Sequence, residues 1–246
     1  LKASDGEIIN GYFTPAKTVT KGVIAPVVIL VHGGPHGPRD YWEFSPQVQY
    51  LALNGYSVLQ VNFRGSGGYG RNFEMAGHKV WGTKIQQDIL EAYQWLVKQK
   101  KAKDNNACIM GGSFGAYSAI QSATVYPDSY QCAIGNAGIY DLELMFEEGD
   151  VQERSAGLSY LKEVLGTDKK MHRSMSPVNY AEKIKIPLLL ACSLYTYPSP
   201  HDGTRTRMPS YAWEKTRAFR QRIIKHYCST DTKHPWTSTR HYATTE

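Results

Sequence analysis

Met110-Gly-Gly-Ser-Phe-Gly-Ala-Tyr117 is an apolar run that halts at a Gly-x-Ser-x-Gly turn and resumes as a stretch of small residues. Ser113 stands at its centre. A serine lifted onto a sharp turn between a strand and a helix cannot hide its hydroxyl in the core, and glycines at 111 and 115 leave room for a strained backbone there. The stretch reads as a nucleophile elbow. In a chain with 22 glycines among 246 residues the pentapeptide also arises by chance, so the reading depends on its surroundings.

Working outward, Ala107-Cys-Ile-Met110 predicts the strand that feeds the turn, and Ala116 to Val125 a helix ended by Pro127-Asp128. Pro26-Val-Val-Ile-Leu-Val31 is apolar throughout and predicts a strand buried on both faces. It runs into His32-Gly-Gly-Pro-His-Gly-Pro38, a loop whose backbone can approach a ligand closely with N–H groups free to donate; a plain tight turn is the alternative. Tyr56 to Phe63 predicts another strand, followed by the glycine-rich Arg64-Gly-Ser-Gly-Gly-Tyr-Gly-Arg71. A phosphate loop is set aside there because no Gly-Lys-Ser/Thr follows.

Ile85, Ile89, Tyr93, Leu96 and Val97 recur at helical intervals between Gly82 and Lys101. Short strands are predicted at Ile8–Phe13, Gln131–Gly135 and before Ala191, and a helix at Val48–Asn54. Leu158, Leu161 and Leu165 form one stripe within the Asp141–Met175 stretch, which is expected to cover the sheet, with pocket lining as the alternative. Strand and helix thus alternate with short loops, the pattern of an α/β domain with a mostly parallel sheet and helices on both faces.

At 41% apolar residues the chain can bury a substantial core. It holds no uncharged apolar run of membrane-spanning length and no secretory leader, so no membrane association is expected, and the compartment stays open. The opening at Leu1, in a turn before a strand, reads as a fragment of a longer chain. Cys108, Cys132, Cys192 and Cys228 lack the spacing of a zinc site, and Cys108 and Cys132, inside apolar strand-like runs, read as core thiols. No metal or cofactor is expected. Net charge is +6, but residues 1–191 carry 19 Lys and Arg against 18 Asp and Glu, while 192–246 carry 9 against 4. The basic character belongs to the tail.

The motifs, taken in order, resemble the catalytic domain of prolyl oligopeptidase-type serine peptidases, in the acylaminoacyl-peptidase and dipeptidyl-peptidase-like branch. They are His32-Gly-Gly-Pro-His-Gly37, Asn62-Phe-Arg-Gly-Ser66 with Gly68-Tyr-Gly70, Trp81-Gly82, Asp88-Ile89, Met110-Gly-Gly-Ser-Phe-Gly115 and Ser176-Pro-Val-Asn-Tyr180. The resemblance spans residues 5 to 191. It implies an α/β-hydrolase fold, peptide substrates and an upstream β-propeller domain. It also implies that Ser113 is the nucleophile and that the N–H groups of Gly34 and Phe114 form the oxyanion hole. His32 and His36 precede the serine, whereas this fold orders its triad as serine, acid, histidine, so neither is expected to be the base.

The resemblance stops at Cys192. There the family carries His-Gly-x-x-Asp and later Gly-His-Gly, while this chain reads Cys192-Ser-Leu-Tyr-Thr-Tyr-Pro-Ser-Pro200, with Thr196 where the triad acid belongs. Only Leu194, Ile223 and Ile224 are Leu, Ile or Val among residues 192–246, too few for the closing strands and helix. Residues 1–191 are therefore expected to be an incomplete catalytic domain whose C-terminal strands are missing or disrupted, and 192–246 an aberrant basic tail, out of frame or disordered. The acid and base stay unassigned. Asp202 or Asp231 with His226, His234 or His241 is a divergent alternative. Binding of nucleic acid or anionic lipid by the tail is not expected, since its charges follow no amphipathic period. An apolar sheet left short of its closing elements predicts aggregation or partly molten packing.

Two other functions fit the elbow. A carboxylesterase or lipase uses the same fold and the same kind of loop, and a non-catalytic domain would act by binding alone.

Overall fold

The computed structural model describes residues 1–20, 22–147, 151–152 and 155–191. The tail read as aberrant, 192–246, lies outside the described residues. Six strands are described: β1 (Asn10–Thr14), β2 (Val27–Val31), β3 (Ser57–Asn62), β4 (Ala107–Gly112), β5 (Cys132–Asn136) and β6 (Leu188–Ala191). They form one sheet in the order β1-β3-β2-β4-β5-β6. β1 runs antiparallel to β3 at one edge, and every other pairing is parallel. From β2 the chain crosses to β3 on one side and then to β4 on the other. The connections that follow β2 and β4 therefore lead to opposite sides of the sheet from a shared carboxyl edge, the switch point at which such sheets bind ligands.

The helices are α1 (Pro46–Leu53), α2 (Arg71–Met75), α3 (Lys84–Lys98), α4 (Phe114–Val125), α5 (Leu144–Glu147), α6 (Ser155–Leu165) and α7 (Lys169–Ser174), and a 3₁₀ helix follows at Pro177–Lys183. Ser45 caps α1 by accepting from Val48 N–H, with Pro46 in the first turn where a missing N–H costs nothing. The apolar stripe of α3 behaves as its periodicity predicts, burying Ile85, Ile89, Tyr93 and Leu96.

Side chains alternate across a pleated strand, and in-register partners share a face. Val27, Ile29 and Val31 of β2, Leu59 and Val61 of β3 and Ile109 of β4 point into the main core, together with Ile85, Ile89, Tyr117 and Ile120 of α3 and α4. The opposite face holds Val28 and Val58, buried apart from that core beside Val48 and Ala52 of α1, which packs on β3. Cover on this face thins across the sheet. Cys108, Met110, Cys132 and Ile134 are half-buried, and Leu189 of β6 is 59% exposed.

One expectation is corrected. Cys108 and Cys132 are not free core thiols: they are joined in a disulfide. They are partners on adjacent strands with α-carbons 4.6 Å apart, close enough to bridge without backbone movement. The α6 stripe joins the core, as cover over the sheet requires. Leu161, Val164 and Leu165 extend the core toward the loops, the Val164 carbonyl accepts from Lys79 N–H at 2.7 Å, and the Tyr160 ring meets the His36 ring edge-on.

Candidate active site

Val31 and Gly111 are partners on adjacent parallel strands, so the loop after β2 and the turn after β4 leave the sheet side by side. Ser113 has φ 54° and ψ −121°. For a residue with a β-carbon this region costs on the order of 1–3 kcal/mol and persists only where neighbours enforce it. The enforcers are backbone groups: Ser113 N–H donates to Asn136 O at 3.0 Å, and its carbonyl accepts from Ala116 and Tyr117 N–H as α4 begins. A β-carbon on Gly115 would collide with the Val31 carbonyl, so glycine there lets α4 start directly against β2. The Ser113 side chain is left exposed.

The His32 loop closes on the elbow from the other side. A β-carbon on Gly33 would lie 3.7 Å from the Ser113 β-carbon, ordinary van der Waals contact. Gly34, next along, is exposed with φ 125°, a conformation that favours glycine. Phe114 opens α4, so its N–H belongs to the first turn, where helix donors lack intrahelical partners. Its buried ring packs among Phe63, Trp81 and Tyr117, which fixes the residue. The three residues expected to build the site, Ser113, Phe114 and Gly34, thus come from the two loops that the sheet register brings together.

The glycine-rich segment 64–70, considered as a phosphate loop, buttresses the His32 loop. Gly67 N–H donates to Pro38 O and Gly37 N–H to Gly65 O, and a β-carbon on Gly67 would strike the Gly37 carbonyl. Two backbones cross here with no space for a side chain.

Neither early histidine is free to act as a base. His32 Nδ1 lies 2.7 Å from Gly33 O and its Nε2 2.9 Å from Ser66 Oγ, with the ring stacked on Phe63. His36 Nε2 accepts from the Trp81 indole N–H at 3.0 Å. Burial and the neighbouring His78 lower the His36 pKa to about 4. Thr196 and the alternative acids and bases, Asp202, Asp231, His226, His234 and His241, lie outside the described residues.

Residues 42–197 match the profile of the prolyl oligopeptidase family. The chain belongs to this family. Dipeptidyl aminopeptidase BIII of Pseudoxanthomonas mexicana is 38% identical to this prolyl oligopeptidase-family chain over 170 residues, covering 67% of this chain and 24% of that protein. A puromycin-hydrolyzing peptidase of Mycobacterium tuberculosis superposes with a TM-score of 0.78 at 25% identity, over 92% of this chain and 33% of that one. The acylaminoacyl peptidase of Pyrococcus horikoshii gives a TM-score of 0.73 at 28% identity, over 89% and 33%. The α/β-hydrolase fold and the branch expected from the motifs are both borne out. The chain spans about a quarter of the length of the curated relative.

The family landmarks acquire physical roles that the sequence did not disclose. Arg64 Nε and Nη2 donate to the two oxygens of Asp88, fully buried on α3, and Nη1 and Nη2 reach Asp5. Burial pushes the Asp88 carboxyl up even though Arg64 pulls the other way, while Arg64 and Lys84 hold Asp5 well below the usual carboxylate range. This clamp ties the N-terminal turn and α3 to the loop carrying Ser66. Ser176, opening the Ser-Pro-Val-Asn motif, accepts from Leu142 N–H and donates to His172 O. In the sequence Arg64, Asp88 and Ser176 stood only as motif residues, and no pattern signalled these contacts.

Proposed function

We propose that this chain is the nucleophile-bearing part of a serine peptidase that cleaves peptide bonds through an acyl-enzyme on Ser113. The observation that carries the reading is the exposed Ser113 at positive φ with Gly33 beside it, near enough that a β-carbon there would touch the Ser113 β-carbon. In the reaction the Ser113 oxygen attacks the substrate carbonyl while its proton passes to a general base. The carbonyl oxygen, now an anion, accepts from the Gly34 and Phe114 N–H groups, worth about 3 kcal/mol per donor in comparable sites. Collapse expels the amine, which takes the proton, and water then hydrolyses the ester to release the acid and regenerate the serine. The base and its carboxylate partner are unassigned.

The substrates are peptides, as the relatives' names and the family support, and an upstream β-propeller in the full-length protein would restrict access to them. The short span of this chain relative to its relatives is consistent with further domains. We further propose that the chain leaves its natural reading frame near residue 192. Translating the encoding DNA in the other two frames tests this: His-Gly-x-x-Asp and Gly-His-Gly are expected there, and their absence would sink the idea. The catalytic reading is tested with the full-length protein by comparing N-acyl-peptide and dipeptidyl anilides with simple esters. Turnover of the peptides, lost on Ser113→Ala, is expected; hydrolysis of esters alone would favour an esterase.

A further inference from the structure

Gly33 C=O and Gly34 N–H belong to one peptide unit, and in a trans peptide the two bonds point in opposite directions. Whatever holds the Gly33 oxygen therefore aims the Gly34 N–H. The His32 Nδ1, 2.7 Å from that oxygen, holds it. A carbonyl can only accept, so Nδ1 carries the proton. In the neutral ring Nε2 is then the acceptor, and the atom facing it at 2.9 Å is the Ser66 hydroxyl, which donates. Burial lowers the His32 pKa and so favours the neutral ring.

Each member of this chain is held in turn. The His32 ring stacks on the buried Phe63 ring, with centroids 4.3 Å apart and planes 13° apart. Ser66 is fully buried and its N–H donates to Phe63 O. Gly67 beyond it is fixed to Pro38 by a backbone hydrogen bond.

We propose that Ser66 and His32 are positioning residues: the Ser66 hydroxyl locks His32 in the Nδ1–H tautomer, and His32 sets and polarises the Gly33–Gly34 peptide so that its N–H faces the oxyanion. The proposal rests on the acyl-enzyme reading of Ser113. An accepted hydrogen bond at the Gly33 oxygen also makes the N–H of the same peptide a stronger donor, through the polarisation that runs along hydrogen-bonded chains. Neither side chain touches the substrate.

The test has two arms, the first on the chain as it exists and the second on the full-length protein in its natural reading frame. Imidazole ¹⁵N NMR is expected to show His32 as the neutral Nδ1–H tautomer, with loss of that single state and a shifted Gly34 amide resonance in Ser66→Ala. A His32 found as the Nε2–H tautomer, or a Gly34 amide unmoved in Ser66→Ala, overturns the proposal. The second arm is the rate at which a fluorophosphonate probe labels Ser113 in the full-length protein. Ser66→Ala is expected to slow labelling about tenfold and Ser66→Thr, which keeps the hydroxyl, to restore most of it. Equal labelling of wild type and Ser66→Ala contradicts the proposal. A full-length wild type that takes no label at all overturns the acyl-enzyme reading instead, and the tautomer and Gly34 amide still decide whether His32 positions the peptide.

Discussion

The Val31 carbonyl occupies the space that a side chain on residue 115 would need. This contact joins the strand that launches the His32 loop to the helix that follows Ser113, so it sets the spacing of the candidate site. Gly115→Ala forces two backbones apart and is expected to destabilise the chain by about 2–4 kcal/mol, as overpacking against rigid neighbours does. Urea unfolding measures the loss, and an unchanged midpoint would count against the packing described here.

Asp88 is fully buried and takes three donors from Arg64, its backbone N–H, Nε and Nη2. Arg64→Met leaves a carboxyl in the core without its cation, a change that costs about 3–5 kcal/mol in comparable buried pairs. Removing both charges, in Arg64→Met with Asp88→Leu, is expected to recover a large part of that loss. A double variant no more stable than Arg64→Met would show that the pair is not energetically coupled.

The His36 pKa is lowered from 6.5 to about 4 by burial and by His78. The unfolded chain therefore binds more protons between these values, and stability present above pH 6.5 falls as pH drops toward 4. Allowing for the partial solvent access of the ring, the change is on the order of 2 kcal/mol. Chemical denaturation at a series of pH values should show this slope in wild type and a flatter one in His36→Gln; parallel slopes would refute the assignment.

Cys108 and Cys132 close a loop of sequence separation 24. Peptide mapping without reductant should recover the two cysteine-bearing peptides joined. By the chain-entropy account, Cys108→Ser with Cys132→Ser should lose about 3 kcal/mol. Recovery of the two peptides separately would contradict the pairing.

Helix α3 was legible in sequence because burial of one face imposes a 3.6 period on its apolar residues, β2 because a strand buried on both faces is apolar throughout, and Ser113 because its turn takes glycine on both sides. Strand pairing was not legible, and it is pairing that places Cys108 opposite Cys132 and Val31 opposite Gly111. Polar contacts between distant segments leave no periodic trace either. Ser66 and His32 are 34 residues apart and Arg64 and Asp88 are 24 apart, and only the fold brings them together.

The central claim is that Ser113 is an activated nucleophile, and covalent labelling tests it most directly. The full-length protein, in its natural reading frame past residue 192, is treated with a fluorophosphonate probe, and the modified residue is located by peptide mass spectrometry, beside Ser113→Ala. One adduct on Ser113, absent from the variant and suppressed when peptide substrate is in excess, is the predicted result. A folded full-length protein that takes no label, or takes it equally well in Ser113→Ala, would contradict the account.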